Sequence, residues 1–112
     1  MTDFSYLNVD NAYKLINQKV TKTPLVTNDY INNLLEAEIY FKLENLQNTG
    51  SFKLRGATHK ITKLIETVKD SGVVAYSSGN HAQAVAYASM INTISAKIIM
   101  PKTAPQIKIE NT

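Results

Sequence analysis

The sequence predicts an α/β fold, and three features of the chain support this prediction. Residues 73–76 and 96–100 are short apolar runs, typical of strands that are buried in a parallel sheet. Residues 81–90, between them, form a helical pattern that is rich in alanine. This strand–helix–strand order predicts a βαβ unit, whose strands are parallel and joined by a right-handed crossover.

The first fifty residues are expected to form two helices, one strand and a loop. Asp10 is a candidate N-cap of the first helix, which the Thr-Pro pair at 23–24 would end because the residue before proline favours extended geometry. Residues 27–29 supply a second helix start. Residues 39–44 are rich in β formers and predict a strand, whereas the polar residues 45–50 predict a loop.

A longer helix is predicted to begin at Lys53. The apolar residues from 54 to 68 recur mostly at spacings of three and four, which gives a helix with one buried stripe. Gly72 lies at the usual stop position for such a helix. The Ala-Pro pair at 104–105 begins a last helix, and Lys108 within it is assigned no role.

Composition narrows the classes of function. The chain has 112 residues, 44% of them hydrophobic and 19% charged, as expected for one modest globular domain. A net charge of +3 without a lysine block argues against nucleic-acid binding, and the absence of cysteine with only two histidines argues against a metal site. Residues 1–5 have no basic or apolar leader pattern and no run could span a membrane, so a cytoplasmic protein without a membrane partner is expected.

The position of Lys53 favours a chemical role for its amine. A Gly-Ser turn, Gly50-Ser51, precedes it and a helix follows it. The partial positive charge at a helix N-terminus disfavours an ammonium ion, and burial disfavours it further. A lysine whose neutral form is favoured can act as a nucleophile or a base. The alternative is a solvated lysine near a helix start.

A second candidate segment is Ser77–His81, which again lies between a strand and a helix. Such a junction presents unpaired backbone N–H groups at a helix N-terminus, which suits an anion. Gly79 would allow a ligand to approach the backbone closely. The alternative is structural, since Asn80 could serve only as a helix cap.

Four motifs together resemble one family over roughly residues 13–112. They are Thr-Gly-Ser-Phe-Lys-Leu-Arg-Gly-Ala at 49–57, Ser-Ser-Gly-Asn-His-Ala-Gln-Ala at 77–84, Leu-Glu-Asn-Leu-Gln at 43–47 and Met-Pro-Lys-Thr-Ala-Pro at 100–105. The chain resembles the serine/threonine dehydratases and serine racemases, which are pyridoxal-phosphate enzymes of the tryptophan-synthase-β fold, fold type II. The resemblance implies part of a three-layer fold built from parallel βαβ units.

The resemblance implies that Lys53 forms a Schiff base with pyridoxal 5'-phosphate and, once freed by a substrate amine, takes the Cα proton. Phe52 would lie against the cofactor ring, although a core aromatic residue is also consistent with the sequence. Arg55 is interpreted only as a surface or ion-pair residue. The implied function is deamination of L-serine or L-threonine to a 2-oxo acid and ammonia.

The same resemblance implies a small-molecule amino-acid substrate held by the second segment. Ser77, Asn80 and His81 would surround the substrate carboxylate, with Gly79 at close approach, and Asn80 would also reach the phenolic oxygen of the cofactor. Ser78 is the residue that separates two activities. Many dehydratases of the family have alanine there and serine racemases have serine, so a racemase that uses Ser78 as a second acid/base is the alternative.

The resemblance also implies two domains, residues 1–50 as the start of a large domain and residues 51–112 as an incomplete small domain. The four glycines, at 50, 56, 72 and 79, form no glycine-rich loop for the cofactor phosphate, and residues 92–95 have no glycine at a turn where the family usually has one. The sequence is therefore interpreted as a truncated piece of the enzyme, whose full-length form would be a homo-oligomer. The alternative in which the chain is not an enzyme is an inactive remnant or an interaction fragment.

Overall fold

The computed structural model of the protein describes residues 5–112, so residues 1–4, on which the expectation about a leader partly rests, lie outside the described residues. The helices and strands, in chain order, are α1 (Tyr6–Ile16), β1 (Leu25–Thr27), α2 (Asp29–Leu35), β2 (Tyr40–Lys42), α3 (Lys53–Lys63), α4 (Ile65–Val68), β3 (Val73–Tyr76), α5 (Asn80–Ile91), β4 (Ala96–Ile99) and α6 (Gln106–Glu110). A 3₁₀ turn covers Glu44–Leu46. Within residues 5–112 no helix is long and apolar enough to cross a membrane.

The predicted βαβ unit is confirmed. Strands β3 and β4 pair in parallel, with Val73 opposite Ala96 and Tyr76 opposite Ile99. Helix α5 connects them and packs on both strands. The α/β fold class therefore follows from the segment in which the sequence pattern was clearest.

A second sheet contains one strand that the sequence did not predict. Strand β1 pairs antiparallel with β2, with Leu25 opposite Lys42. All three residues of β1 are exposed, so no periodic apolar pattern marks the strand. Its partner strand fixes it instead, helped by a bond from the Leu43 N–H to the Pro24 carbonyl oxygen at 3.0 Å.

The prediction that Asp10 caps the first helix is wrong. The side chain of Ser5 accepts a hydrogen bond from the Asn8 N–H at 3.3 Å and is the N-cap of α1. Asp10 lies within the helix and pairs with Lys14 one turn later, at 2.6 Å. Helix α1 ends at Ile16, well before the Thr-Pro pair.

The predicted helix from Lys53 is divided in two. Leu64 has φ −102° and ψ 13°, which interrupts the helical conformation between α3 and α4. Gly72 ends this region as predicted, because its φ of +74° is left-handed and its N–H donates to the Val68 carbonyl oxygen at 2.8 Å. The turn without glycine carries strain, since Thr93 adopts a φ of 56°.

Replacement of Gly72 by alanine is expected to destabilise the chain. A left-handed φ costs a residue with a side chain about 1–3 kcal/mol, and a Cβ at Gly72 would lie 2.7 Å from the carbonyl oxygen of Ser95. Gly56→Ala is the matched control, because a Cβ there has no heavy atom within 4 Å and alanine is favoured within a helix by about 0.5–1 kcal/mol. Urea unfolding of both variants measures the difference. Equal stability of the two variants would contradict the assignment.

The hydrophobic core lies between the lysine helix and the helix of the βαβ unit. Helices α3 and α5 pack directly on each other, and α1 packs on α3. The alanines of α5 allow this close approach because their side chains are small. The core residues are Ile16, Val20, Leu54, Ala57, Ile61, Ala84, Val85, Ala88 and Ile94.

One face of the β3–β4 sheet differs from the prediction of a buried strand. Val74 is 70% exposed and Tyr76 is 83% exposed, whereas Val73 and Ala75 pack against the core. Successive side chains of a strand point to opposite faces, so only one face of this sheet is covered by the described helices.

Candidate active site

The turn before α3 holds Lys53 at the helix start. Gly50 has a φ of +67°, and its N–H donates to the Gln47 carbonyl oxygen at 2.7 Å. Ser51 is buried, and its Oγ accepts a hydrogen bond from the Lys53 N–H at 3.2 Å. The Gly-Ser turn therefore fixes the backbone of Lys53, as the sequence predicted.

The Lys53 side chain is exposed. Among residues 5–112 its Nζ forms no ion pair and no hydrogen bond. The described residues thus place Lys53 at the N-terminus of α3 and leave its side chain in contact with solvent. The arrangement leaves a primary amine that is fixed at its backbone and accessible at its tip.

Phe52, the residue before the lysine, is 65% exposed. Phe52 is therefore not part of the core that residues 5–112 form. Its backbone is already helical, with φ −60° and ψ −19°, because it immediately precedes α3. The ring is available to cover a ligand beside Lys53.

The Ser77–His81 segment connects β3 to α5 and is fixed to the sheet. The Ser77 N–H donates to the Ile99 carbonyl oxygen at 3.1 Å, and the Ser77 Oγ accepts from the Gly79 N–H at 3.2 Å. The N–H groups of Asn80 and His81 lie in the first turn of α5 and have no helical acceptor. A Cβ at Gly79 would meet no heavy atom within 4 Å, so the space beside this backbone is open to a ligand.

The alternative that Asn80 is only a helix cap is wrong. Gly79 is the N-cap of α5, no side chain caps this end, and Asn80 is the first helical residue. The Asn80 Oδ1 instead accepts a hydrogen bond from the Lys108 Nζ at 2.6 Å. Sequence reasoning missed Lys108, because no local pattern indicates a partner 28 residues away.

A depression of about 730 Å³ lies beside this segment. It is lined by Tyr76, Ser77, Ser78, His81, Ile99, Met100 and Pro101. The side chains of Ser78 and His81 are exposed at its wall. Polar groups thus meet an open space at the carboxyl ends of the two parallel strands, where α/β sheets commonly bind ligands.

Lys53 and the Ser77–His81 segment lie at the same end of the molecule. The last turns of α3 and α5 meet, because the Thr62 Oγ1 lies 3.2 Å from the Asn92 Oδ1 and the Lys19 Nζ donates to both. The N-terminal halves of the two helices also line one cavity, with Gly56 and Ala57 from α3 and His81 and Val85 from α5, so the two helix starts lie at one end. The fold thus brings the two predicted segments to one edge.

A half-buried ion pair supports the lysine helix, and it confirms Arg55 as an ion-pair residue whose partner the sequence did not indicate. Arg55 donates from Nε and Nη2 to the two carboxylate oxygens of Glu44, at 2.9 and 2.7 Å. The Arg55 Nη2 also donates to the Thr21 carbonyl oxygen at 3.0 Å, and the Thr23 hydroxyl donates to Glu44. The bidentate hydrogen bonds from Arg55 are the main cause that lowers the pKa of Glu44 from 4.5 to about 2. The sequence did contain a signal for this pair, because Glu44 and Arg55 have opposite charges and each lies in one of the four family motifs.

We expect the Glu44–Arg55 pair to make stability depend on pH. Because the folded state lowers the pKa of Glu44, its contribution is complete above the unfolded value of 4.5 and is lost as the pH falls towards about 2. Glu44→Gln should flatten this acid-induced loss of stability. The loss is measured as the change in the urea midpoint between about pH 5 and about pH 2, a range that spans the two pKa values of Glu44. Glu66→Gln is the control, since the Glu66–Lys69 pair is exposed. An unchanged acid profile in Glu44→Gln would contradict this role.

The sequence of this chain matches a known protein family over most of its length. The sequence profile of the family described as "Pyridoxal-phosphate dependent enzyme" matches residues 16–112. This chain belongs to the pyridoxal-phosphate-dependent enzyme family. Both site segments and the Glu44–Arg55 pair fall inside the matched region.

Curated relatives of this member of the family include enzymes of two activities. A serine racemase of Dictyostelium discoideum is 44% identical over 109 residues, which cover 97% of this chain and 34% of the relative. An L-threonine dehydratase of Lactococcus lactis is 52% identical over 101 residues, which cover 90% of this chain and 24% of the relative. The chain spans about a third or less of the length of these relatives.

Solved structures of the family share the fold of this chain. The crystal structure of the Dictyostelium discoideum serine racemase has a TM-score of 0.87 at 45% identity, over 94% of this chain and 34% of that one. A threonine deaminase from Solanum lycopersicum has a TM-score of 0.78 at 35% identity, over 98% and 32%. The α/β fold of this member therefore corresponds to about a third of a larger fold.

Proposed function

We propose that this chain carries the cofactor lysine and the substrate loop of a pyridoxal-phosphate-dependent dehydratase. The enzyme would convert L-serine or L-threonine to a 2-oxo acid and ammonia. The observation that carries the proposal is the common location of Lys53 and Ser77–His81, which follows from the packing of α3 on α5 and from the cavity that their N-terminal halves line. The curated relatives include an L-threonine dehydratase, which supports the reaction.

The residues present fit part of the cofactor. The amine of Lys53, which is exposed and has no partner within residues 5–112, is the group that can form a Schiff base with the cofactor aldehyde, and Phe52 lies exposed beside it. Asn80 presents its amide at the neighbouring helix start, where a phenolic oxygen could accept a hydrogen bond. The four glycines are widely spaced, so we assign no phosphate-binding role to any residue of this chain.

The bound cofactor would supply an electron sink that makes the Cα–H bond of an amino acid acidic. The amine of Lys53 would take the Cα proton. General-base catalysis of this kind raises a reaction rate about 10²–10⁴-fold. The backbone N–H groups of Asn80 and His81, together with Ser77, would hold the substrate carboxylate. Gly79 would let that carboxylate approach the backbone closely.

A second candidate activity is racemisation of serine. The Ser78 side chain is exposed at the depression and forms no hydrogen bond within residues 5–112, so its hydroxyl is available to a substrate. Ser78 lies on the β3–α5 segment and Lys53 lies on α3. Because the two residues belong to different elements, they could act on the substrate Cα as two separate acid/base groups. Serine racemases among the similar proteins support this candidate.

We propose that residues 1–50 begin a large domain and that 51–112 form an incomplete small domain, and the separate β1–β2 and β3–β4 sheets support this division. Exposed apolar side chains such as Tyr30 and Tyr76 support further contacts in a homo-oligomer.

The test of the proposed function is product analysis with the intact natural polypeptide that contains this chain. The polypeptide is supplied with pyridoxal phosphate and then with L-threonine, L-serine or, as a control, L-alanine, which has no β-hydroxyl leaving group. A 2-oxo acid and ammonia from the hydroxylated substrates alone would support the dehydratase. D-serine without a 2-oxo acid would favour the racemase, and no turnover of any substrate would favour the inactive remnant.

A further inference from the structure

Lys108 connects α6 to the first turn of α5. Its Nζ donates to the Asn80 Oδ1 at 2.6 Å and to the Gln83 Oε1 at 2.9 Å. Lys108 is half-buried and Gln83 is only 6% exposed, so the bond to Gln83 is partly buried, whereas the bond to Asn80 is exposed at the surface of the first turn of α5. A bond of 2.6 Å from an ammonium group to an amide oxygen is a charge-assisted hydrogen bond.

This contact determines which end of the Asn80 amide faces the site. An ammonium group has three donors and no acceptor, so it can bind only the oxygen of an amide. With Oδ1 held by Lys108, the two N–H donors of the planar Asn80 amide point away from Lys108. A rotated amide would place its nitrogen, another donor, against the ammonium and would lose this bond.

The geometry points to Lys108 as a positioning residue that orients the Asn80 amide so that its N–H group is presented to an anionic oxygen of the cofactor. This inference rests on the proposed function, because that oxygen is the phenolic oxygen of pyridoxal phosphate. The positive charge of Lys108 also polarises the Asn80 amide, which makes its N–H groups stronger donors. Lys108 acts through Asn80 and need not touch the cofactor.

The experiment measures cofactor binding by the intact natural polypeptide. Pyridoxal phosphate is titrated into the wild type, Lys108→Met and Lys108→Arg, and both the affinity and the visible absorption of the bound cofactor are recorded. We expect Lys108→Met to weaken binding about tenfold, the value of one hydrogen bond, and to shift the absorption band. Lys108→Arg should restore most of both, because it keeps a cationic donor. The control is Lys102→Met, an exposed lysine on the preceding turn, which should bind like the wild type.

A double-mutant cycle distinguishes orientation of Asn80 from general support of the fold. In an Asn80→Ala background, Lys108→Met should cause no further loss of affinity, because the residue through which it acts is absent. The same tenfold loss in both backgrounds would overturn the inference, as would a Lys108→Met protein with wild-type affinity and absorption. A wild type that does not bind pyridoxal phosphate would overturn the proposed function, and this role with it.

Discussion

Lys53→Ala is expected to abolish covalent capture of pyridoxal phosphate and to lower the elimination rate at least about 10³-fold, since general-base catalysis alone contributes about 10²–10⁴. The hydrogen bond from the Lys53 N–H to the Ser51 Oγ fixes the backbone of Lys53, so the amine is lost without loss of the helix start. Borohydride reduction of the loaded intact polypeptide, followed by peptide mass spectrometry, should find the cofactor on Lys53.

Lys60→Ala is the matched control for this substitution. Lys60 is an exposed lysine on the same helix, farther from its N-terminus. The control should retain the label on Lys53 and the wild-type rate. If Lys53→Ala were to keep a covalent label and its activity, another amine would be the cofactor group and the assignment of Lys53 would fail.

Ser78→Ala is expected to separate the two candidate activities. If Ser78 returns a proton to Cα, its removal should reduce racemisation of serine about 10²–10⁴-fold, the contribution of a positioned general acid. Elimination should change little, because Lys53 and the carboxylate-binding groups are unaffected. Chiral analysis of serine and measurement of the 2-oxo acid, in the same reaction of the intact polypeptide, give both rates.

Ser71→Ala serves as the control for loss of a hydroxyl, since Ser71 is exposed at the turn before β3. It should leave both rates unchanged. An equal loss of racemisation and elimination in Ser78→Ala would indicate that Ser78 only supports substrate binding. A wild type without racemisation and a Ser78→Ala protein with unchanged elimination would leave the dehydratase as the better assignment.

Elements that depend on neighbouring residues were predictable from the sequence. The βαβ unit, the helix start at Lys53 and the stop at Gly72 follow from apolar periodicity and from turn chemistry within a few residues. The candidate residues of both site segments came from motifs of the same short range. The prediction for Asp10 failed because a capping residue also forms ion pairs inside a helix, and the choice depended on whether Ser5 was available.

Elements that depend on distant partners were not predictable in this way. Strand β1 exists because β2 pairs with it, and its exposed residues show no pattern of their own. The Glu44–Arg55 ion pair joins positions 11 residues apart, and the Lys108–Asn80 hydrogen bond joins positions 28 residues apart. Neither spacing lies within one helix or one turn, so local propensity carries no information about the contact.

By itself, the sequence determined the α/β class, the helix that begins at Lys53 and the chemical character of Ser77–His81, because side-chain types and short spacings control these features. Only the tertiary structure decided that the two segments share one edge, since this depends on the packing of α3 against α5 and on the Thr62–Asn92 contact. It also decided the orientation of the Asn80 amide, because the ammonium group of Lys108 can donate a hydrogen bond only to the oxygen of that amide.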